Sequence, residues 1–313
     1  MNKILLYIAG PTASGKTAAA LEIATHFNTE IVSCDSRQFY KEMKIGTAPP
    51  SPEELAQVPH HFIHNKSLAS PYTVGAYEKE ALACVERLFE HQDVVVLVGG
   101  SGLYADALIE GLDQFPEVPQ ALRDQLELFY QQHGLEGLQD LLKQKDLKYY
   151  QQVDRNNPRR MLRALGVCMV AEQPYSSFLQ QEKVPRSFTT RYLVLMPERE
   201  ELYLRINSRV DSMLYNGLEK EAAALADYQN HPAFATVGYQ EWLPFWNGDY
   251  DRDTAIERIK RNSRRYAKRQ ITWCKRYGAA NFYTPPIELK AVLKKNLLVF
   301  FQIGQHILFY SLV

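Results

Sequence analysis

The stretch Ile4-Leu5-Leu6-Tyr7-Ile8-Ala9-Gly10-Pro11-Thr12-Ala13-Ser14-Gly15-Lys16-Thr17 decides the fold. Its first six residues are a continuous apolar run, the pattern of a strand buried on both faces. The next eight fit G-x-x-x-x-G-K-[ST] and pass directly into the helical run Ala18 to Phe27. In a strand–loop–helix context this spacing binds phosphate: the glycines let the backbone curl so that several N–H groups point inward, and the helix N-terminus adds positive potential. Lys16 can carry a positive charge to the outer phosphate, and the Thr17 hydroxyl is placed to ligate Mg²⁺. Gly10, Pro11, Thr12, Ala13, Ser14, Gly15, Lys16 and Thr17 are therefore the expected diphosphate-binding set. A short apolar run behind Lys3 superficially resembles a signal peptide, but cleavage there would destroy the loop, so a buried first strand is expected.

Outward from this stretch, apolar and β-branched runs at Glu30 to Ser33, Val94 to Val98 and Tyr192 to Met196 predict further buried strands, with helical patterns between them. Alternation of this kind predicts an α/β fold, a P-loop NTPase-like parallel sheet flanked by helices. From Pro116 to about Pro185 the chain turns Leu-, Gln- and Lys-rich, with helical runs at Ala121 to His133 and Leu135 to Lys145. The expected organisation is an α/β core over 1–115 and 186–313, ending in basic helices, interrupted by a helical insertion domain over 116–185.

The 313 residues, 46% of them hydrophobic, are enough for such a core, and no repeat or low-complexity segment interrupts them. Lys plus Arg (36) equals Asp plus Glu (36), so only the distribution of charge can point to an anionic partner. Cys34, Cys84, Cys168 and Cys274 are far apart, which argues against a zinc ribbon or a disulfide scaffold and fits a reducing compartment. The apolar stretch Leu297 to Val313 is broken by Gln302, Gln305 and His306 and is short for a membrane span. A terminal element packed on the domain is expected there, without stable membrane association.

A phosphate loop alone does not say whether the diphosphate belongs to a nucleotide. A kinase would be expected to carry an acidic residue at the end of another core strand, yet Val94 to Val98 runs into Gly99-Gly100-Ser101-Gly102-Leu103-Tyr104. Instead, the strand ending at Ser33 leads into Cys34-Asp35-Ser36-Arg37-Gln38, which places Asp35 at the carboxyl edge of the sheet, where α/β proteins bind ligands.

Taken in order, Gly10 to Thr17, Asp35-Ser36-Arg37-Gln38-Phe39-Tyr40 with Ile45-Gly46-Thr47-Ala48, Gly99 to Tyr104, Asn157-Pro158-Arg159-Arg160-Met161-Leu162-Arg163, Arg209-Val210-Asp211-Ser212-Met213-Leu214 with Gly217-Leu218, Val237-Gly238-Tyr239-Gln240-Glu241 and Ala267-Lys268-Arg269-Gln270 resemble the tRNA dimethylallyltransferase family, also called tRNA isopentenyltransferases. The resemblance covers about Lys3 to Pro285. It implies that the loop holds the pyrophosphate of dimethylallyl diphosphate with Mg²⁺, and that the acceptor is the exocyclic N6 of adenosine 37, beside the anticodon of tRNA. Asp35 would accept the amine proton, the remedy for a nucleophile whose lone pair is delocalised into the ring. Lys16 and Arg209 would stabilise the departing pyrophosphate. Ser101 stands where the family usually has Thr and keeps the hydroxyl for a catalytic contact. The base must be extruded from the anticodon loop, and the resemblance assigns the grip on tRNA to Asp35, Ser36, Arg37, Gln38, Ser101, Arg123, Arg159, Arg160, Met161, Leu162 and Arg163.

The segment Ala255 to Gly278 carries Arg258, Lys260, Arg261, Arg264, Arg265, Lys268, Arg269, Lys275 and Arg276 against the single acid Glu257, a nucleic-acid footprint on a neutral chain. Two departures from the family stand out. His64 occupies a position commonly acidic in His60-His61-Phe62-Ile63-His64, and no cysteine pairs exist for the zinc finger of eukaryotic members. A bacterial-type, cytoplasmic, monomeric enzyme is the expectation. Its rivals are an adenylate isopentenyltransferase and a small-molecule P-loop kinase, neither of which explains the insertion and the basic segment.

Overall fold

The computed structural model describes residues 3–70, 72–179 and 183–285; the apolar tail over 290–313, expected to pack as a terminal element, lies outside them. Among the described residues the chain forms a six-stranded, all-parallel sheet in the order β3-β2-β4-β1-β5-β6. The strands are β1 (Ile4–Ala9), β2 (Ile31–Ser33), β3 (His60–His61), β4 (Val94–Val98), β5 (Thr189–Leu195) and β6 (Phe282–Tyr283). Every residue of β1 is buried, as its unbroken apolar run requires of a strand covered on both faces. It lies between β4, with Leu6 opposite Val96, and β5, with Leu6 opposite Arg191.

Helices α1 (Lys16–Phe27), α2 (Pro52–Gln57), α3 (Val74–Phe89) and α4 (Gly102–Glu110) connect the first strands. One face of the sheet packs in a cluster with Ala20, Ile23 and Ala24 of α1, the other with Tyr77, Ala81 and Val85 of α3 and Ala105 and Leu108 of α4. Because β1 leads through α1 to β2 while β4 lies between those two strands, the loops after β1, β2 and β4 converge at one sheet edge, the crevice position for ligands in this architecture.

The chain divides into two compact units, Met1–Glu110 with Arg186–Val313, and Gly111–Pro185. The helical unit starts ahead of the expected Pro116 because Phe115, assigned above to the sheet core, stacks on Tyr175 at 4.8 Å between centroids. It contains α5 (Gln120–Lys145), α6 (Leu147–Gln152) and α7 (Pro158–Ala171). Gly134 breaks α5 with φ 64° and ψ −163°, a conformation open to glycine, and so separates the two helical runs expected on either side of it. Leu126, Leu138, Leu142, Met161, Ala164 and Leu165 form its core. The Asn157 side chain caps α7 by accepting from the Arg160 N–H at 3.3 Å, and Pro158 occupies the first turn.

The remaining helices belong to the α/β unit: α8 (Arg199–Tyr215), α9 (Leu218–Ala224), α10 (Trp242–Trp246) and α11 (Arg252–Cys274). Along α11 the residues Ala255, Ile259, Ala267, Gln270 and Cys274 are buried and the basic ones lie mostly outward, as the amphipathic pattern predicts.

Candidate active site

The phosphate loop takes the shape its glycines allow. Gly15 sits at φ 89° immediately before α1, and a Cβ at Gly10 would fall 2.6 Å from the Leu195 carbonyl oxygen, so only glycine fits against β5. Lys16 folds back to donate to the Pro11 carbonyl at 2.7 Å, and Arg209 of α8 donates to the Thr12 hydroxyl at 3.2 Å. Burial pulls the Lys16 ammonium down to about 8, with the Asp35 carboxylate opposing that shift and the Arg209 guanidinium adding to it. Burial likewise lowers Arg209, opposed by Asp35 and Glu54.

After β2, Asp35 accepts the Arg37 N–H at 3.0 Å in a tight local turn, and its own N–H donates to the Ser33 hydroxyl at 3.2 Å. One carboxylate oxygen is thereby fixed by the backbone. Gln38 donates to the Thr47 and Ala48 carbonyls at 3.2 and 3.0 Å, and its carbonyl accepts the His64 N–H at 2.8 Å. His64 thus borders this turn through its backbone, while His60 contacts the Val58 carbonyl and His61 pairs with Glu30.

A cleft of about 560 Å³ opens where these loops meet. Thr12, Ala13, Ser14, Gly15, Lys16, Thr17, Asp35, Ser36, Arg37, Gln38 and Arg209 all line it, so three separated sequence motifs share one wall. Gly10 and Pro11 are buried beneath the loop. Ser101, expected at the reacting centre, is half-buried and bonded to a residue of this wall. Its hydroxyl accepts the Ser36 N–H and pairs with the Ser36 hydroxyl, both at 3.0 Å, so it ties the turn after β4 to the Asp35 turn.

The expected contacts of the helical unit sort by exposure. Arg159, Arg160 and Arg163 are exposed, with Arg163 over the Phe115 ring at 5.1 Å. Arg123 is exposed too, but it directs its guanidinium back to the Val118 carbonyl at 3.0 Å. Met161 corrects the expectation: it is fully buried in the core of this unit, and Leu162 packs against the same cluster. Alternation along a helix explains both, because an arginine-rich motif on α7 must still send part of every turn inward.

Other lining residues carried no expected role, among them Glu54, His60, Tyr266 and the stretch 235–238. Burial and the Asp35 charge push Tyr266 up to about 12, the Ser101 hydroxyl opposing them. Glu221 was also missed: it accepts the N–H groups of Lys44, Ile45 and Gly46 and the Tyr239 hydroxyl at 2.7–3.0 Å, anchoring the loop that Gln38 holds from the other side. An acid in an exposed-looking helical run gives no sequence signal for such a role. Gln270 did leave one, a polar side chain in the buried stripe of α11.

The IPP transferase family model matches residues 38–277 of this chain. The chain belongs to the IPP transferase family. It is 51% identical to the tRNA dimethylallyltransferase of Flavobacterium johnsoniae over 280 residues, covering 88% of this chain and 91% of that protein. With tRNA dimethylallyltransferase 1 of Bacteroides fragilis it shares 42% over 286 residues, 91% of this chain and 95% of that one. Among solved structures, the tRNA delta(2)-isopentenylpyrophosphate transferase of Staphylococcus epidermidis superposes with a TM-score of 0.65 at 31% identity, covering 96% of this chain and 98% of that chain. This IPP transferase therefore shares its fold and nearly its whole length with its relatives, and it is a prenyltransferase. Among the described residues, no helix is long and apolar enough to cross a membrane.

Proposed function

We propose that this chain transfers the dimethylallyl group of dimethylallyl diphosphate to the exocyclic N6 of adenosine 37 in tRNA, releasing pyrophosphate and giving N6-isopentenyladenosine. The observation that carries the reading is the shared wall of the cleft: a carboxylate, Asp35, faces the same space as the phosphate loop, Lys16 and Arg209. A kinase would use the loop to deliver a phosphoryl group; here the loop retains the diphosphate and the carbon leaves. The N6–C bond forms as the C–O bond to pyrophosphate breaks. Asp35, held by the Arg37 N–H through one oxygen, takes the N6 proton, while Lys16, Arg209 and the loop N–H groups stabilise the charge that develops on the leaving oxygens.

The donor set around the loop fits Mg²⁺. The Thr17 hydroxyl lines the cleft, and the described residues hold no cluster of three His, Cys, Asp or Glu that would cage a metal. Mg²⁺ keeps several waters and is bound through substrate phosphates with few protein ligands, so one hydroxyl beside a diphosphate could hold it here. When bound, it would neutralise part of the diphosphate charge.

Arg159, Arg160 and Arg163 supply exposed guanidinium groups for phosphate contact or base stacking, and exposed Arg261, Arg265, Lys268 and Arg269 of α11 supply a second basic surface. The expected action of the enzyme is cytoplasmic, where tRNA is found. Incubation with dimethylallyl diphosphate, Mg²⁺ and unmodified tRNA should give a dimethylallyl mass increment on an anticodon-stem-loop fragment. Transfer to free AMP alone, or phosphoryl transfer from ATP, would overturn the reading.

A further inference from the structure

Gln270 is buried on α11, only 7% exposed, and its side-chain amide is hydrogen-bonded at both ends. Its Oε1 accepts the Thr12 N–H at 2.8 Å, and its Nε2 donates to the Gly100 carbonyl at 3.0 Å. One amide thus joins the phosphate loop after β1 to the turn after β4. The fit is close, because a Cβ at Gly100 would lie 2.2 Å from Nε2. From Gly100 the connection continues through Ser101, whose hydroxyl holds the Ser36 N–H and hydroxyl beside Asp35. At the other end Thr12 is held a second time, through its hydroxyl, by Arg209.

We propose that Gln270 is a positioning residue that locks the diphosphate loop to the Gly99–Ser101 turn and so sets the spacing between the leaving group and Asp35. The catalytic part of this inference rests on the reaction proposed above. The chemistry explains the residue type, since a primary amide offers an acceptor and a donor side by side. A glutamate would keep the acceptor for Thr12 but, when ionised, would face the Gly100 carbonyl without a donor. The Thr12 N–H is committed to this bond, which leaves the N–H groups further along the loop to hold phosphate.

Three variants test the lock: Gln270→Ala, Gln270→Glu and Gly100→Ala. The last leaves α11 intact and pushes the amide out through the added Cβ. The readouts are kcat and KM for each substrate, tRNA binding, thermal melting, and calorimetric binding of inorganic pyrophosphate with Mg²⁺. Gln270→Ala should lower kcat about tenfold, as expected for two lost hydrogen bonds that orient a reacting group, with tRNA affinity unchanged. Pyrophosphate should bind more weakly. Gly100→Ala should reproduce both effects, and the double variant should be no worse than either single one. Gln270→Glu should regain activity relative to the wild type as pH falls from about 8 to about 5.5, because a protonated carboxyl can donate to Gly100.

Wild-type kcat in both Gln270→Ala and Gly100→Ala, fully additive losses in the double variant, or a Gln270→Glu pH profile parallel to the wild type would overturn the proposal. If Gln270→Ala does not fold, Gly100→Ala decides alone. If the wild-type protein transfers nothing to tRNA, the proposed reaction fails, and pyrophosphate binding still judges the lock: equal affinities of wild type and Gly100→Ala would overturn it.

Discussion

Asp35 and Lys16 face one cleft with different burdens. Asp35 is held through one carboxylate oxygen by the Arg37 N–H, so replacing it with Ala removes the proton acceptor without releasing the loop from Ser101. Asp35→Ala should abolish turnover in a single-turnover assay while tRNA affinity, measured by filter binding, stays near the wild-type value; near-normal turnover would remove Asp35 from the base role. Lys16 yields a pH prediction. Burial brings its pKa down to about 8, so the ammonium that attracts diphosphate is complete below that value and is lost as pH rises through it. The free enzyme's kcat/KM for dimethylallyl diphosphate should therefore fall above about pH 8. In Lys16→Arg, whose guanidinium stays protonated, the remaining activity should show no such limb.

Elements show what the sequence makes legible and what it hides. The strands β1 and β4 announce themselves as buried apolar runs, and Gly134 marks the break in α5. The two-residue strands β3 and β6 carry no such pattern and exist only because a neighbouring strand accepts them. The same divide runs through the site. The phosphate loop and Asp35 can be read from local spacing, but the tie between Ser101 and Ser36 cannot, because the two residues are 65 positions apart. Glu221 of α9 belongs to the hidden class, since its loop partners are Lys44, Ile45 and Gly46. Glu221→Ala strips the acceptor from three N–H groups and the Tyr239 hydroxyl. Water can reach part of this half-buried place, so a loss of about 1–3 kcal/mol in urea unfolding is expected, with a raised KM from the loosened cleft wall. An unchanged urea midpoint and unchanged KM together would show that the loop holds itself.

At the scale of the whole molecule, a chain with 36 basic and 36 acidic residues has no net charge to draw RNA toward it, so attraction must come from where the charges lie. The basic segment of α11 and the turn after it is smaller in effect than its nine residues suggest. Lys260 pairs with Asp211 at 2.7 Å, Arg264 donates to the Asn207 side chain, Arg276 pairs with Asp106, and Arg258 lies over the Tyr250 ring. These four hold α11 and the turn after it to neighbouring parts of the α/β unit. With Arg269 lining the cleft, Arg261, Arg265 and Lys268 are the exposed cations of that segment on α11 that remain for RNA to meet outside the cleft. Replacing those three with Ala should lower tRNA affinity at low salt and flatten the plot of log affinity against log salt by about 2–3, since each phosphate contact contributes roughly 0.7–0.9 to the slope. Lys260→Ala is the contrasting case: it breaks an internal pair and should shift thermal melting slightly while leaving the salt slope as it was. Equal slopes for the triple variant and the wild type would place the RNA-facing charge elsewhere, with Arg159 and Arg160 on the helical unit the next residues to replace.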